Sequence, residues 1–150
     1  MATFNYGSGA VIAAKVVTVK DAVVNGVDTS FEVDQPANSF LSGVFIKVNS
    51  AVAMSSGDVG FNIGDASGET DIFNDTNFFL ASGTAIAANT VYHITSSDLG
   101  RQAAGQSSTE APKGYTDTDR KIFAFIDNPS VSVTSAGTFE IHFQFTHFAN

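Results

Sequence analysis

The sequence predicts an all-β protein, a single-domain antiparallel β-sandwich of jelly-roll-like form. Three observations lead there. Almost every apolar segment is short and either alternates at a period of two or runs for a few residues before a turn signal. Helical spacing is nearly absent. Thirteen glycines and 3 prolines punctuate the 150 residues at the short intervals that suit two sheets sharing one core.

Taken in order, "AVIAAKVVTVKDAVV" is rich in β-branched residues and runs into Asn25-Gly26, a strong hairpin signal, after which "VDTSFEVD" returns. "GVFIKV" sets Val44, Ile46 and Val48 against Phe45 and Lys47, and "DVGFNIGD" sets Val59, Phe61 and Ile63 against Gly60 and Asn62. Each strand therefore buries one face. Further strands are expected at "NFFLA", "TVYHIT", "KIFAFID", "SVSVT" and "TFEIHFQFTHF", with Asn128-Pro129 and Ser135-Ala136-Gly137 as the turns between the last three. The run from Ile122 to Ile126 is apolar on both faces, which predicts a central strand covered on both sides.

Helical turns are expected only at "QPANSFLSG" and "SSDLGRQAAG", and residues 96–118 read as a long polar surface loop. Residues 1–9 form an N-terminal arm and residues 10–150 the sandwich. A chain of this length buries about 68–70% of the surface its unfolded form exposes. Its 14 phenylalanines are expected to dominate the core, since each buried ring removes roughly 150–250 Å² from water.

Composition excludes several functions. With no cysteine there are no disulfides, thiolate zinc sites or thiol nucleophile. The first residues lack the basic and continuous apolar regions of a signal peptide, and no stretch approaches the roughly 20 apolar residues of a membrane helix. The expectation is a cytoplasmic, unprocessed chain. Fifteen acidic residues against seven basic ones give a net charge of −8, which repels a phosphate backbone and argues against nucleic-acid binding. No lysine or arginine occurs between residues 48 and 100, so one surface region is expected to be distinctly negative.

Candidate chemistry is sparse. His93, His142 and His147 are the only histidines available as general bases or metal ligands. His142 shares the face opposite the phenylalanines with Glu140, Gln144 and Thr146, where a polar residue is expected. His147 reads as a bulge or fraying at the strand's end. "GxSxG", "GxGxxG" and the P-loop pattern do not occur, so catalytic and cofactor-binding residues are assigned to none and the chain reads as no enzyme. Asp65, Glu69, Asp71 and Asp75 crowd one loop and offer hard oxygen ligands to calcium, but their spacing matches no EF-hand. A solvated acidic loop is the plainer account, so metal ligands are also assigned to none. In the arm, Phe4 and Tyr6 sit among glycine and serine, as aromatics used for partner contact or as a first edge strand.

The stretch "GDVGFNIGDASGETDIFNDTNFFLASGTAIAANTVYHI", followed by "GYTDTDRKIFAFID" and "TSAGTFEIHFQFTHF", resembles the small β-sandwich proteins that decorate or cement the capsids of tailed bacteriophages. The likeness spans roughly residues 40 to 148 and lies in layout and turn chemistry. It implies a structural virion protein, made in the host cytoplasm, that binds the lattice of major capsid protein at the virion surface, often as a homotrimer. Phe4 and Tyr6 are then expected at the shell. A carbohydrate- or receptor-binding module at a tail tip is the rival, disfavoured by the absence of tryptophan and the presence of only three tyrosines.

Overall fold

The computed structural model describes residues 11–55, 57–80, 85–95, 98–99, 114–127 and 132–147. Ten strands follow in order: β1 (Val11–Lys20), β2 (Thr29–Gln35), β3 (Ser39–Met54), β4 (Val59–Gly64), β5 (Phe73–Leu80), β6 (Ala85–Ile86), β7 (Val91–Ile94), β8 (Tyr115–Thr116), β9 (Arg120–Asp127) and β10 (Val133–His147). No helix occurs among the described residues. One sheet runs β1-β10-β3-β6, with β7 and β8 also paired to β3, and the other runs β2-β9-β4-β5.

The connectivity is that of a jelly roll. Four antiparallel pairs, β1 with β10, β2 with β9, β3 with β7 and β4 with β5, alternate between the two sheets. A ribbon folded at β4–β5 and rolled so that successive pairs fall on opposite sheets gives this order. Lateral pairing of β10 with β3 and of β9 with β4 then completes each sheet.

Alternation decides which side chains enter the core. Phe139, Ile141, Phe143 and Phe145 on β10, Val44, Ile46 and Val48 on β3, and Ile122 and Ile126 on β9 are buried. Phe61 stands at the centre, its ring 6.3 Å from Phe31, 5.9 Å from Phe78 and 6.0 Å from Phe79. Phenylalanine does not dominate the core as expected: among the described residues five phenylalanines are buried beside eight isoleucines and seven valines. β9 is central as expected, with β2 on one side and β4 on the other, though Phe123 and Phe125 on its outer face are only half-buried.

Three local expectations are corrected. Asn25-Gly26 does make a tight turn, with Gly26 at φ 65° and a single bridge from Val24 to Val27. It joins strands of different sheets, however, and is no hairpin: the chain leaves β1 through Asp21 at φ 49°, and Ala22 and Val23 are held to Gly137 and Ala136 carbonyls and fully buried. Long-range pairing overrides the local turn signal here. Ala136-Gly137 is no turn either. Gly137 at φ 69° bends one continuous strand, β10, which stays paired with β3 on both sides of it. The stretch expected to turn helically at "QPANSFLSG" is instead a tight turn at residues 36–38, with Asn38 at φ 53°, after which Ser39 opens the long strand β3.

Within the loop expected at 96–118, Tyr115–Thr116 form the short strand β8 against Ser39 and Phe40, and Asp98 and Leu99 turn back onto the Thr95 carbonyl. The rest of that loop, the Asn128-Pro129 turn and the whole arm, with Phe4 and Tyr6, lie outside the described residues. β10 does not fray at His147, which pairs with Val11 on one side and Ser39 on the other. The irregularity lies just before it, where β3 carries an extra residue between the partners of Gln144 and Phe145.

Candidate functional site

His93 and His142 sit on the outer face of the six-stranded sheet, whereas His147 has the inward parity of β10. Register places Val16, His142, Phe45 and His93 in one row across β1, β10, β3 and β7, and Thr18, Glu140, Lys47 and Val91 in the next. His93 stacks on Phe45 with ring centroids 4.1 Å apart and planes within 6°. His142 Nε2 lies 2.6 Å from Glu140 Oε1, and that contact, with a weaker one from Asn49, holds the Glu140 carboxyl below the usual carboxylate range. Val16 and Val91 are 54% and 60% exposed at opposite ends of this face. His93 and His142 are therefore ordinary members of a mixed aromatic and charged surface, as the plainer reading of the final strand predicts for His142.

The acidic loop folds back on its own sheet. Ile72 N–H donates to the Ile63 carbonyl at 3.0 Å, and Asp71 Oδ1 accepts the Asp65 N–H at 3.1 Å. Asp65 lies 3.8 Å from an Arg120 nitrogen, while Asp75 accepts the Asn77 N–H. Asp71 and Asp75 accept turn hydrogen bonds, and Asp65 faces Arg120. Among the described residues no group of three His, Asp or Glu is placed to hold a metal ion. Gly64 carries the close approach, since a Cβ there would lie 2.3 Å from the Glu69 carbonyl oxygen.

A third feature is one the sequence reading missed. At the end of the sandwich where β1, β2, β9 and β10 meet, a cavity of about 650 Å³ opens between the sheets. Alternation gives Lys15, Gln35, Arg120 and His147 the inward parity of those four strands; Gln35, Arg120 and His147 lie beyond the last apolar residue of their strands, and Lys15 lies in mid-strand opposite Phe143. Gln35 is buried and fully engaged. Its amide donates to the carbonyls of Ser39 and Gly114 at 3.1 and 2.8 Å, and its oxygen accepts Arg120 Nε at 3.0 Å. Arg120 is half-buried, and that desolvation lowers its pKa while Asp65 and Asp71 work against the shift. The signal available in the sequence was a polar residue at the inward parity of a strand's end, repeated at Gln35, Arg120 and His147, far apart in the chain.

No family model matches the sequence, and no curated protein does. In three dimensions the chain is similar to a chain of the cyanophage Pam1 capsid asymmetric unit. The two superpose with a TM-score of 0.52 at 14% identity, over 98% of this chain and 91% of that one. That likeness is one of fold, and it extends nearly end to end. A chain of the infectious bursal disease virus Gx strain overlaps at a TM-score of 0.27 and 14% identity, covering 91% of this chain but 41% of its own, and carries no weight. Jelly rolls serve both viral capsids and lectins, so topology alone admits both classes.

Proposed function

We propose that this chain is a non-enzymatic structural protein of a phage virion, which binds the assembled lattice of major capsid protein and decorates or stabilises it at the virion surface. The observation that carries the reading is the jelly roll matched across nearly the whole length of both chains by a component of a phage capsid. The reading also takes the protein to assemble in the host cytoplasm, as a homotrimer. Stabilisation needs no chemistry. A protein that binds only the finished lattice adds RT ln(1 + [L]/Kd) at each site, summed over the many sites of one particle.

The outer face of the six-stranded sheet is the surface assigned to the lattice. It offers a ladder with Val16 and Val91 exposed at its two edges and the Phe45–His93 stack, Glu140 and Lys47 between them. Exposed apolar and aromatic side chains beside charged ones suit contact with a protein partner. The arm with Phe4 and Tyr6 is assigned to the same contact. The test is co-sedimentation of the purified chain with capsids stripped of accessory proteins. Saturable binding at a fixed ratio to major capsid protein supports the reading, and a chain left in the supernatant at all concentrations refutes it.

A further inference from the structure

We infer that Asn25 is a site of spontaneous covalent modification, deamidating through a cyclic imide to aspartate and isoaspartate, and that the native fold leaves it open to this reaction. The inference stands apart from the capsid reading. Sequence supplies the first condition. Of the ten asparagines, Asn25 is the one followed by glycine. The reaction begins when the backbone nitrogen of the next residue attacks the asparagine carboxamide, and a side chain on that residue crowds the approach. Gly26 has none.

Structure supplies the second condition. Attack needs a solvated amide nitrogen with no hydrogen bond to break, and a carboxamide free to swing toward it. Residues 24–28 are all exposed. Among the described residues neither the Asn25 carboxamide nor the Gly26 N–H makes a hydrogen bond. The turn is closed elsewhere, by the Val27 N–H donating to the Val24 carbonyl at 3.3 Å, which is long for such a bond. Anchoring resumes only outside it, at Ala22 and Val23 on one side and at Thr29, paired with Ile126, on the other. The other described asparagines lack this combination. Asn62 is 2% exposed, and the residues that follow Asn38, Asn49, Asn62, Asn74 and Asn77 all lie within strands. Thr90, which follows Asn89, donates its N–H to the Ala87 carbonyl.

The chemistry needs only water and a base from solvent. The Gly26 amide gives up its proton, and its nitrogen attacks Cγ of Asn25. The bond from Cγ to the carboxamide nitrogen breaks, ammonia leaves, and a five-membered imide closes. Water then opens the imide at one of its two carbonyls. Cleavage between Cγ and the Gly26 nitrogen gives aspartate, and cleavage at the original peptide carbonyl gives isoaspartate, whose main chain runs through Cβ and Cγ. Either product adds one negative charge to a chain already at −8. Isoaspartate also lengthens the turn by one backbone atom and displaces Val27 from the Val24 carbonyl. The buried Ala22 and Val23, held by the Gly137 and Ala136 carbonyls, confine that change to the turn.

The experiment is timed incubation of the purified full chain at pH 8 and at pH 6, native and unfolded in urea, followed by tryptic digestion and tandem mass spectrometry. Cleavage after Lys20 and Lys47 releases residues 21–47, which carry both Asn25 and Asn38. The expected product is this peptide with a gain of about 1 Da, placed at Asn25 and not at Asn38, accumulating faster at pH 8. It resolves into two forms, of which the isoaspartate form accepts a methyl group from S-adenosylmethionine in the presence of isoaspartyl methyltransferase. The native rate is expected within about threefold of the unfolded rate, because a site already exposed needs no opening of the fold. Asn25→Gln, a change at an exposed turn, is expected to abolish the acidic species and leave the melting temperature unchanged. A native chain that loses the Asn25 amide at least tenfold more slowly than the unfolded one overturns the inference, as does no reaction in either state. Acidic species that form at the wild-type rate in the Asn25→Gln variant place the reaction elsewhere and overturn it too.

Discussion

The rings of Phe79 and Phe139 meet with centroids 5.0 Å apart and planes tilted by 45°, joining β5 of one sheet to β10 of the other. Both are buried, Phe139 completely. Phe31 and Phe143 make a second inter-sheet contact at 6.2 Å, edge to face. The sandwich is pinned by aromatic pairs that cross the gap near the two ends of β5 and β2.

Replacing Phe139 with Ala removes the ring from a fully enclosed site and leaves a cavity that neighbouring strands, tied by their ladders, cannot collapse to fill. The expected cost is about 3–5 kcal/mol. Phe45→Ala, on the exposed outer face, is expected to cost less than half as much. Urea unfolding of the two variants checks the ranking, and equal losses would mean that the buried face has been assigned wrongly.

Gly64 sits under the acidic loop, where a Cβ would come within 2.3 Å of one backbone atom of Glu69 and 2.5 Å of another. Backbone cannot swing away as a side-chain tip can. Gly64→Ala is expected to lift the loop at residues 65–72 and destabilise the fold by about 2 kcal/mol or more. At Gly68, where nothing lies within 4 Å, only the φ of 81° opposes a side chain. Gly68→Ala is therefore expected to cost about 1 kcal/mol. Thermal melts of the two variants measure the difference.

Asp127 is raised above the usual carboxylate range, chiefly by burial and then by Asp28 beside it. The native carboxyl holds its proton more tightly than the unfolded one, so this pair opposes folding at neutral pH. The penalty disappears as pH falls through the raised value. Asp28→Asn is expected to stabilise the protein at pH 7 by about 0.2–1 kcal/mol, the scale of a like-charge contact across neighbouring positions. The gain shrinks as pH falls into the carboxylate range. Melting temperatures of both proteins across pH 3 to 8 check the sign.

For attachment, the double variant Val16→Lys, Val91→Glu replaces two exposed side chains on the face assigned to the lattice. Val91 lies opposite Lys47, so the new carboxylate gains a cross-strand partner and the fold is expected to change by less than about 1 kcal/mol. Binding to stripped capsids is expected to fall at least tenfold. Deleting residues 2 to 9 is expected to weaken attachment as well, with the melting temperature unchanged. Wild-type binding by both variants would show that neither the face nor the arm meets the shell.

What the sequence disclosed follows from the range of each interaction. Alternation in "FEIHFQF" reports a face directly, so the inward set on β10 and the outward place of His142 are legible from spacing alone. Pairing is not, because Val11 meets His147 across almost the whole chain and nothing local announces it. Asn25-Gly26 misleads for the same reason. It specifies a tight turn, whereas the partners of the flanking strands are set by burial of Ala22 and Val23 and by β9 and β10 arriving later. The sandwich-end cavity was hidden because Gln35, Arg120 and His147 each look like an ordinary polar strand terminus, and Lys15 like a solvent-facing residue in mid-strand. They become one site only when the sheets are stacked.

The measurement that bears most directly on the capsid assignment is immunogold electron microscopy of purified particles, with an antibody raised against this chain. Dense, regular labelling over the head is the predicted result. Label confined to the tail tip, or a chain present in the lysate but absent from purified particles, would contradict it.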